Sequence, residues 1–160
     1  DGLFAKACTD VSKDYPDITF EEMYVDACAM NLIRQPEQFD VVVTTNLFGD
    51  ILSDESSQVV GGLGMAPAAN IGDNFALFEP VHGAAFDIAG QNIANPSSFL
   101  LSIKLMLDWL GVKHNDSKCF EVGTNLESTI FDLVKSGVKT KDIGGDASTV
   151  EFTKHITDNL

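Results

Sequence analysis

The sequence predicts an α/β fold, and three observations carry that prediction. Asp40-Val41-Val42-Val43-Thr44-Thr45 is a short β-branched run of the kind found in strands buried on both faces. It leads directly into an apolar segment with helical spacing, Ile51, Leu52, Val59 and Val60. Phe75-Ala76-Leu77-Phe78 is a second strand-like run, set among segments whose apolar residues recur at helical intervals.

Taken in order, Asp1 is a candidate N-cap for a first helix. Its face is Leu3, Phe4, Ala7, Cys8 and Val11, and Tyr15-Pro16 stops it. Asp17 to Phe20 is short and β-rich. The spacing then predicts a helix from about Glu21 to Arg34, with Met23, Ala27, Met30 and Leu32 or Ile33 inward. Asp26 interrupts that helix. The helix opened by Asp50 runs to Gly61-Gly62-Leu63-Gly64, which follows a helix, lacks a Walker Lys and reads as a stop and interdomain bend. Met65 to Asp73 reads as a loop, as does Glu79 to Asn95. Pro96 starts a helix over Ser97 to Leu110 with Gly111 as its C-cap. A further helix spans Asp116 to Ser136 before Gly137, Asp142 to Gly145 is a turn, and Ser148 or Thr149 with Glu151 opens the last helix.

A net charge of −14 over 160 residues repels phosphate backbones and anionic lipid, which disfavours nucleic acid and membrane as partners. Cys8, Cys28 and Cys119 are scattered without CxxC spacing, against both a disulfide framework and a zinc site. No apolar run reaches the ~20 residues of a membrane span, and no signal peptide is visible. These features imply a reducing compartment, the cytoplasm or, in a eukaryote, the mitochondrial matrix. The chain begins at Asp1 without an initiator Met and reads as a fragment.

Two stretches carry chemistry. On a helix Asp50 and Asp54 share a face, and two carboxylates side by side repel unless a cation, a proton or a basic group lies between them. Mg²⁺ or Mn²⁺ suits such an all-oxygen donor set. Taken alone, the pair fits better as two acids in a helix's first turn, where the macrodipole welcomes negative charge. The second stretch is the loop from Glu79 to Asn95, too polar and irregular for core packing, in which Gly83 and Gly90 frame His82, Asp87, Asn92 and Asn95.

FGDILSD over 48–54, VDACAM over 25–30 and EPVHGAAFDIAGQNIANP over 79–96 are compatible in order and spacing. With them the chain resembles the isocitrate/isopropylmalate dehydrogenase family of β-decarboxylating dehydrogenases, through to its ending KTKDIGGDASTVEFT. It is similar to the C-terminal half of such an enzyme. The resemblance implies a two-domain fold with a non-Rossmann nucleotide site. Residues 1–60 then belong to the smaller, dimerising and metal-binding domain and 61–160 to the larger, NAD-binding one.

The resemblance further implies that Asp50 and Asp54 bind Mg²⁺ or Mn²⁺, and that Asp26 is a catalytic acid reaching the metal of the neighbouring subunit. Glu79, His82, Gly83, Ala85, Asp87 and Asn95 match the cofactor-binding loop, with Asn95 meeting the adenine. Asp87 followed by Ile88 favours NAD, because a carboxylate accepts from free ribose hydroxyls and repels a 2′-phosphate. Ala84 stands where the family usually has Ser or Thr, and Phe86 where it usually has Pro.

The implied reaction is oxidation and decarboxylation of a 2-hydroxy acid by a homodimer or higher homo-oligomer. The candidates are 3-isopropylmalate, isocitrate, homoisocitrate and tartrate-like acids. The family's Lys, Tyr and substrate-clamping arginines have no counterpart here, so the polypeptide alone is expected to turn over no substrate. A non-catalytic regulatory subunit of a hetero-oligomeric isocitrate dehydrogenase is the alternative, ranked lower because Asp26, Asp50, Asp54, His82 and Asp87 are all kept.

Overall fold

Periodic apolar spacing becomes six helices in the computed structural model, which describes residues 2–160 and divides between Val59 and Val60 into two compact units. The first holds α1 (Gly2–Ser12), α2 (Val25–Arg34) and α3 (Asn46–Val59). The second holds β1 (Pro67–Ile71), β2 (Ala76–Pro80), α4 (Ser97–His114), α5 (Ser117–Ser136) and α6 (Thr149–Asn159). No helix among the described residues is long and apolar enough to cross a membrane.

In the first unit, α1 has the expected spacing but no buried residue, and the proposed cap Asp1 lies outside the described residues. Its exposed Asp10 is bonded by Lys13 and Lys6, which hold the carboxyl below its usual range. The helix expected from Glu21 begins instead at Val25. Glu22 is held outside it, accepting a hydrogen bond of 2.8 Å from the Thr9 hydroxyl. The buried stripe is Cys28 and Leu32, one turn apart, packed on Leu52 of α3 with Ala29 and Phe39 beside them. Met23 and Met30, expected inward, are exposed: Met23 lies ahead of the helix, and Met30 is off the 28/32 stripe that packs on α3.

The run expected to form a buried strand does not form one. Residues 41–45 carry no regular secondary structure, and Val41 and Val43 are 83% and 69% exposed. A strand exists only through its partner's hydrogen bonds, and no described segment pairs with this one. Beyond it α3 starts at Asn46, four residues before Asp50, with the Gly49 amide donating to the Thr45 carbonyl at 2.8 Å. Gly61 and Gly62 follow the end of α3 at φ of 117° and 105°, a conformation that turns the chain at little steric cost only for glycine.

In the second unit the expected loop over Met65–Asp73 is replaced by the first strand of a hairpin. β1 and β2 pair antiparallel from Pro67↔Pro80 to Ile71↔Ala76, and the Gly72 amide closes the turn onto the Phe75 carbonyl at 3.0 Å. Ala68 and Ala69 have weak strand propensity, but α4 packs across both strands and makes small residues acceptable there. Buried serines fasten the helix: Ser98 donates to the Ala66 carbonyl and Ser102 to that of Glu79.

α4 continues past Gly111, the expected C-cap, to His114, and Asn115 at φ 53° closes it. Gly111 is buried inside the helix, where an added Cβ would lie 2.7 Å from the Phe120 ring of α5. It is a close-approach glycine. Asp116 caps α5 by accepting the Lys118 amide at 2.9 Å, and Gly137 ends it at φ 95°. Ser148 and Glu151 form a reciprocal capping box for α6, and those bonds hold the Glu151 carboxyl below its ordinary value. Met65, Leu101, Leu126, Ile130, Phe152 and Ile156 form the core.

Candidate functional site

Each unit presents its own share of the expected site. In the first, Asp50 and Asp54 both lie inside α3, one turn apart and exposed. Asp50 therefore stands in the second turn, where the macrodipole reading of the pair is weak. The Ser53 and Ser57 hydroxyls bond to the backbone carbonyls of Asp50 and Asp54, which keeps the carboxylates out of those bonds. Asp26 stands in the first turn of α2, where one of its oxygens accepts the Ala27 amide at 2.8 Å.

Among the described residues no group of three or more His, Cys, Asp or Glu gathers as a cation cage. The two α3 carboxylates nevertheless fit a hard divalent ion as a partial donor set, exposed and one turn apart. Completing the coordination sphere then falls to groups beyond α3.

In the second unit the loop after β2 is irregular, with Ala85, Gly90 and Asn92 all at positive φ and a single 3₁₀ turn at Phe86–Ile88. Glu79 is exposed on β2 and accepts from Asn70 at 3.3 Å. His82 is half-buried, its Nδ1 lying 2.9 Å from the Gly83 carbonyl oxygen. At Gly83 an added Cβ would meet nothing within 4 Å, and its φ is not left-handed, so neither packing nor backbone demands glycine there. Asp87 is exposed, and the bond it accepts from Gln91 at 2.7 Å falls on its backbone carbonyl.

Asn95 is the most constrained member. Its Nδ2 donates to Asp142 at 3.0 Å, and its Oδ1 accepts the Ser97 amide at 3.0 Å. Asp142 in turn accepts from the fully buried Thr140. An added Cβ at Gly64 would fall 2.7 Å from that same Asp142 carboxylate and 3.1 Å from Asn95. Sequence reasoning placed Asp142 only in a turn, and its bond to Asn95 spans 47 positions, so no local pattern signals it. Asn92 and Thr149 form another such joint, at 2.9 Å from the Thr149 amide to the Asn92 carbonyl.

Two cavities of this unit lie apart from the loop's candidate residues. One of about 400 Å³ is lined by Lys139, Asp146, Glu151 and His155 among others. One of about 160 Å³ lies beside Lys104 and Phe131. There Lys104 bridges Asp108 at 2.8 Å and Glu127 at 3.6 Å, and the hydrogen bond to Asp108 keeps its pKa raised.

A family model described as isocitrate/isopropylmalate dehydrogenase matches residues 1–160. The chain is 52% identical over 157 residues to a 3-isopropylmalate dehydrogenase of Saccharolobus solfataricus, covering 98% of this chain and 46% of that protein. It is 48% identical over 162 residues to the mitochondrial isocitrate dehydrogenase [NAD] catalytic subunit 5 of Arabidopsis thaliana, covering 100% of this chain and 41% of that one. Among solved structures, isocitrate dehydrogenase from Methylococcus capsulatus superposes with a TM-score of 0.91 at 40% identity, over 99% of this chain and 45% of its own. The chain thus spans under half the length of each of these relatives.

Proposed function

Because the chain belongs to the isocitrate/isopropylmalate dehydrogenase family, we propose that the full-length protein carries out NAD-dependent, Mg²⁺- or Mn²⁺-assisted oxidative decarboxylation of a 2-hydroxy acid of the 3-isopropylmalate or isocitrate type. The observation that carries the cofactor half of this reading is Asp87. Its side chain is exposed on the loop, and its one protein bond there uses the backbone oxygen. A carboxylate so placed accepts from two ribose hydroxyls and repels a 2′-phosphate.

Asp50 and Asp54 would hold the cation through carboxylate oxygens. Asp26 of one protomer would complete the ligand set of its partner in a homodimer or higher homo-oligomer. The cation would supply Lewis acidity toward the substrate's oxygens, and NAD would supply the hydride acceptor. The chain's own work is positional. The paired acids would hold the ion that the substrate's oxygens meet, and Gly83 leaves open space beside the backbone where the dinucleotide would lie. Asn95, its Nδ2 bonded to Asp142 and its Oδ1 to the Ser97 amide, would be held in place to meet the base.

The test uses full-length protein with Mn²⁺ and each candidate acid, comparing NAD with NADP. We expect kcat/KM to favour NAD by at least about 100-fold, and Asp87→Ser to shrink that ratio by about tenfold or more, since each tenfold is ~1.4 kcal/mol. A wild-type preference for NADP, or an unchanged ratio in Asp87→Ser, defeats the cofactor assignment.

A further inference from the structure

The geometry points to Asn92 as a positioning residue that anchors the nucleotide loop to the N-terminus of α6, so that Asp87 and Asn95 are presented before the cofactor arrives. This inference rests on the function proposed above. An α-helix begins with backbone N–H groups that lack partners inside the helix. In α6 the loop itself supplies two of them: the Thr149 amide donates to the Asn92 carbonyl at 2.9 Å, and the Val150 amide to Asn92 Oδ1 at 3.1 Å. The next amide, of Glu151, is taken by the Ser148 cap at 3.2 Å. The Thr149 hydroxyl adds a bond back to the Ala94 carbonyl, two residues further along the loop.

The anchor is firm because α6 is. Phe152 and Ile156 seat it in the core at 0% and 2% exposure. The loop is tied on its other side where Asn95 bonds Asp142, so residues 92–95 are held from two elements that come later in the chain. Asn92 reaches both amides only by standing at φ 59°, a left-handed conformation that asparagine tolerates and most residues do not. A turn asparagine chosen for φ alone would be replaceable by glycine. One chosen to hold the helix amide would not be, because glycine has no side-chain acceptor.

That difference sets the test in full-length enzyme. Asn92→Gly keeps the backbone free to adopt positive φ and removes only the acceptor. Asn92→Asp keeps an acceptor and places negative charge where the helix N-terminus favours it. We expect N92G to raise KM for NAD about tenfold, with kcat and KM for the hydroxy acid within twofold of wild type, and N92D to return KM for NAD to within about threefold. Amide hydrogen exchange of residues 87–95 should quicken in N92G and not in N92D. An N92G enzyme with wild-type KM for NAD, or an N92D enzyme as impaired as N92G, overturns the anchoring role alone. A wild-type enzyme that does not use NAD overturns the function on which it rests.

Discussion

Three neighbouring serines of α4 show how differently one side chain behaves by position. Ser97, Ser98 and Ser102 are all buried. The hydroxyls of Ser98 and Ser102 donate to carbonyls of Ala66 and Glu79, whereas the Ser97 hydroxyl has no partner among the described residues. A buried hydroxyl without a bond keeps the desolvation cost and gains nothing, while a bonded one contributes about 1 kcal/mol. The Ala66 carbonyl also accepts the Val81 amide at 3.4 Å, so removing the Ser98 hydroxyl costs its bond without orphaning the carbonyl. Ser97→Ala is therefore expected to be neutral or stabilising by up to about 1 kcal/mol, and Ser98→Ala to destabilise by about 1–2 kcal/mol. Urea denaturation of the two variants decides it: equal losses would mean that Ser97 has a partner after all.

At the scale of elements, Gly111 separates two accounts of the same residue. As a C-cap it would tolerate alanine at modest cost, but inside α4 a methyl would meet the Phe120 ring at 2.7 Å. Gly111→Ala is expected to cost about 1–3 kcal/mol by forcing α4 and α5 apart, despite alanine's better helix propensity. A thermal melt no lower than wild type would show that the ring simply moves aside.

The same contrast explains what was legible in the sequence. Asp116 and Gly137 around α5, and Ser148 with Glu151 before α6, were readable because a cap is made by residues one turn apart. The strand expected over 40–45 and the loop expected over 65–73 both failed, because pairing is decided by a partner. Gly72-Asp73-Asn74 between Ile71 and Phe75 was the unused turn signal for the hairpin. For the site, motif spacing singled out Asp50, Asp54 and the loop residues. The joints that hold the loop were out of reach, since Asn92 meets Val150 across 58 positions and Asn95 meets Asp142 across 47.

At the scale of the molecule, the two units differ in how much core each owns. Residues 60–160 gather Met65, Leu101, Leu126, Ile130, Phe152 and Ile156 into one cluster, with capped helices on a hairpin. Among the described residues of the first unit the buried apolar side chains are Cys28, Leu32 and Leu52, while Ile33, Leu47, Ile51 and Val41 stay 55–83% exposed. A chain near 60 residues is marginal even with a well-formed core, because so much of its surface stays in water. A unit whose apolar side chains are mostly outside lacks the burial that offsets backbone ordering. Expressed separately, residues 60–160 should show a cooperative thermal transition and dispersed amide resonances, whereas residues 1–59 should show neither and should bind an apolar dye. In full-length protein the amides of 41–45 should be protected from exchange, since an exposed β-branched run with free backbone groups is stable only when another strand pairs with it. A cooperative transition for residues 1–59 alone would mean that the small cluster around Leu32 and Leu52 suffices, and that the exposed apolar faces of α2 and α3 need no covering surface.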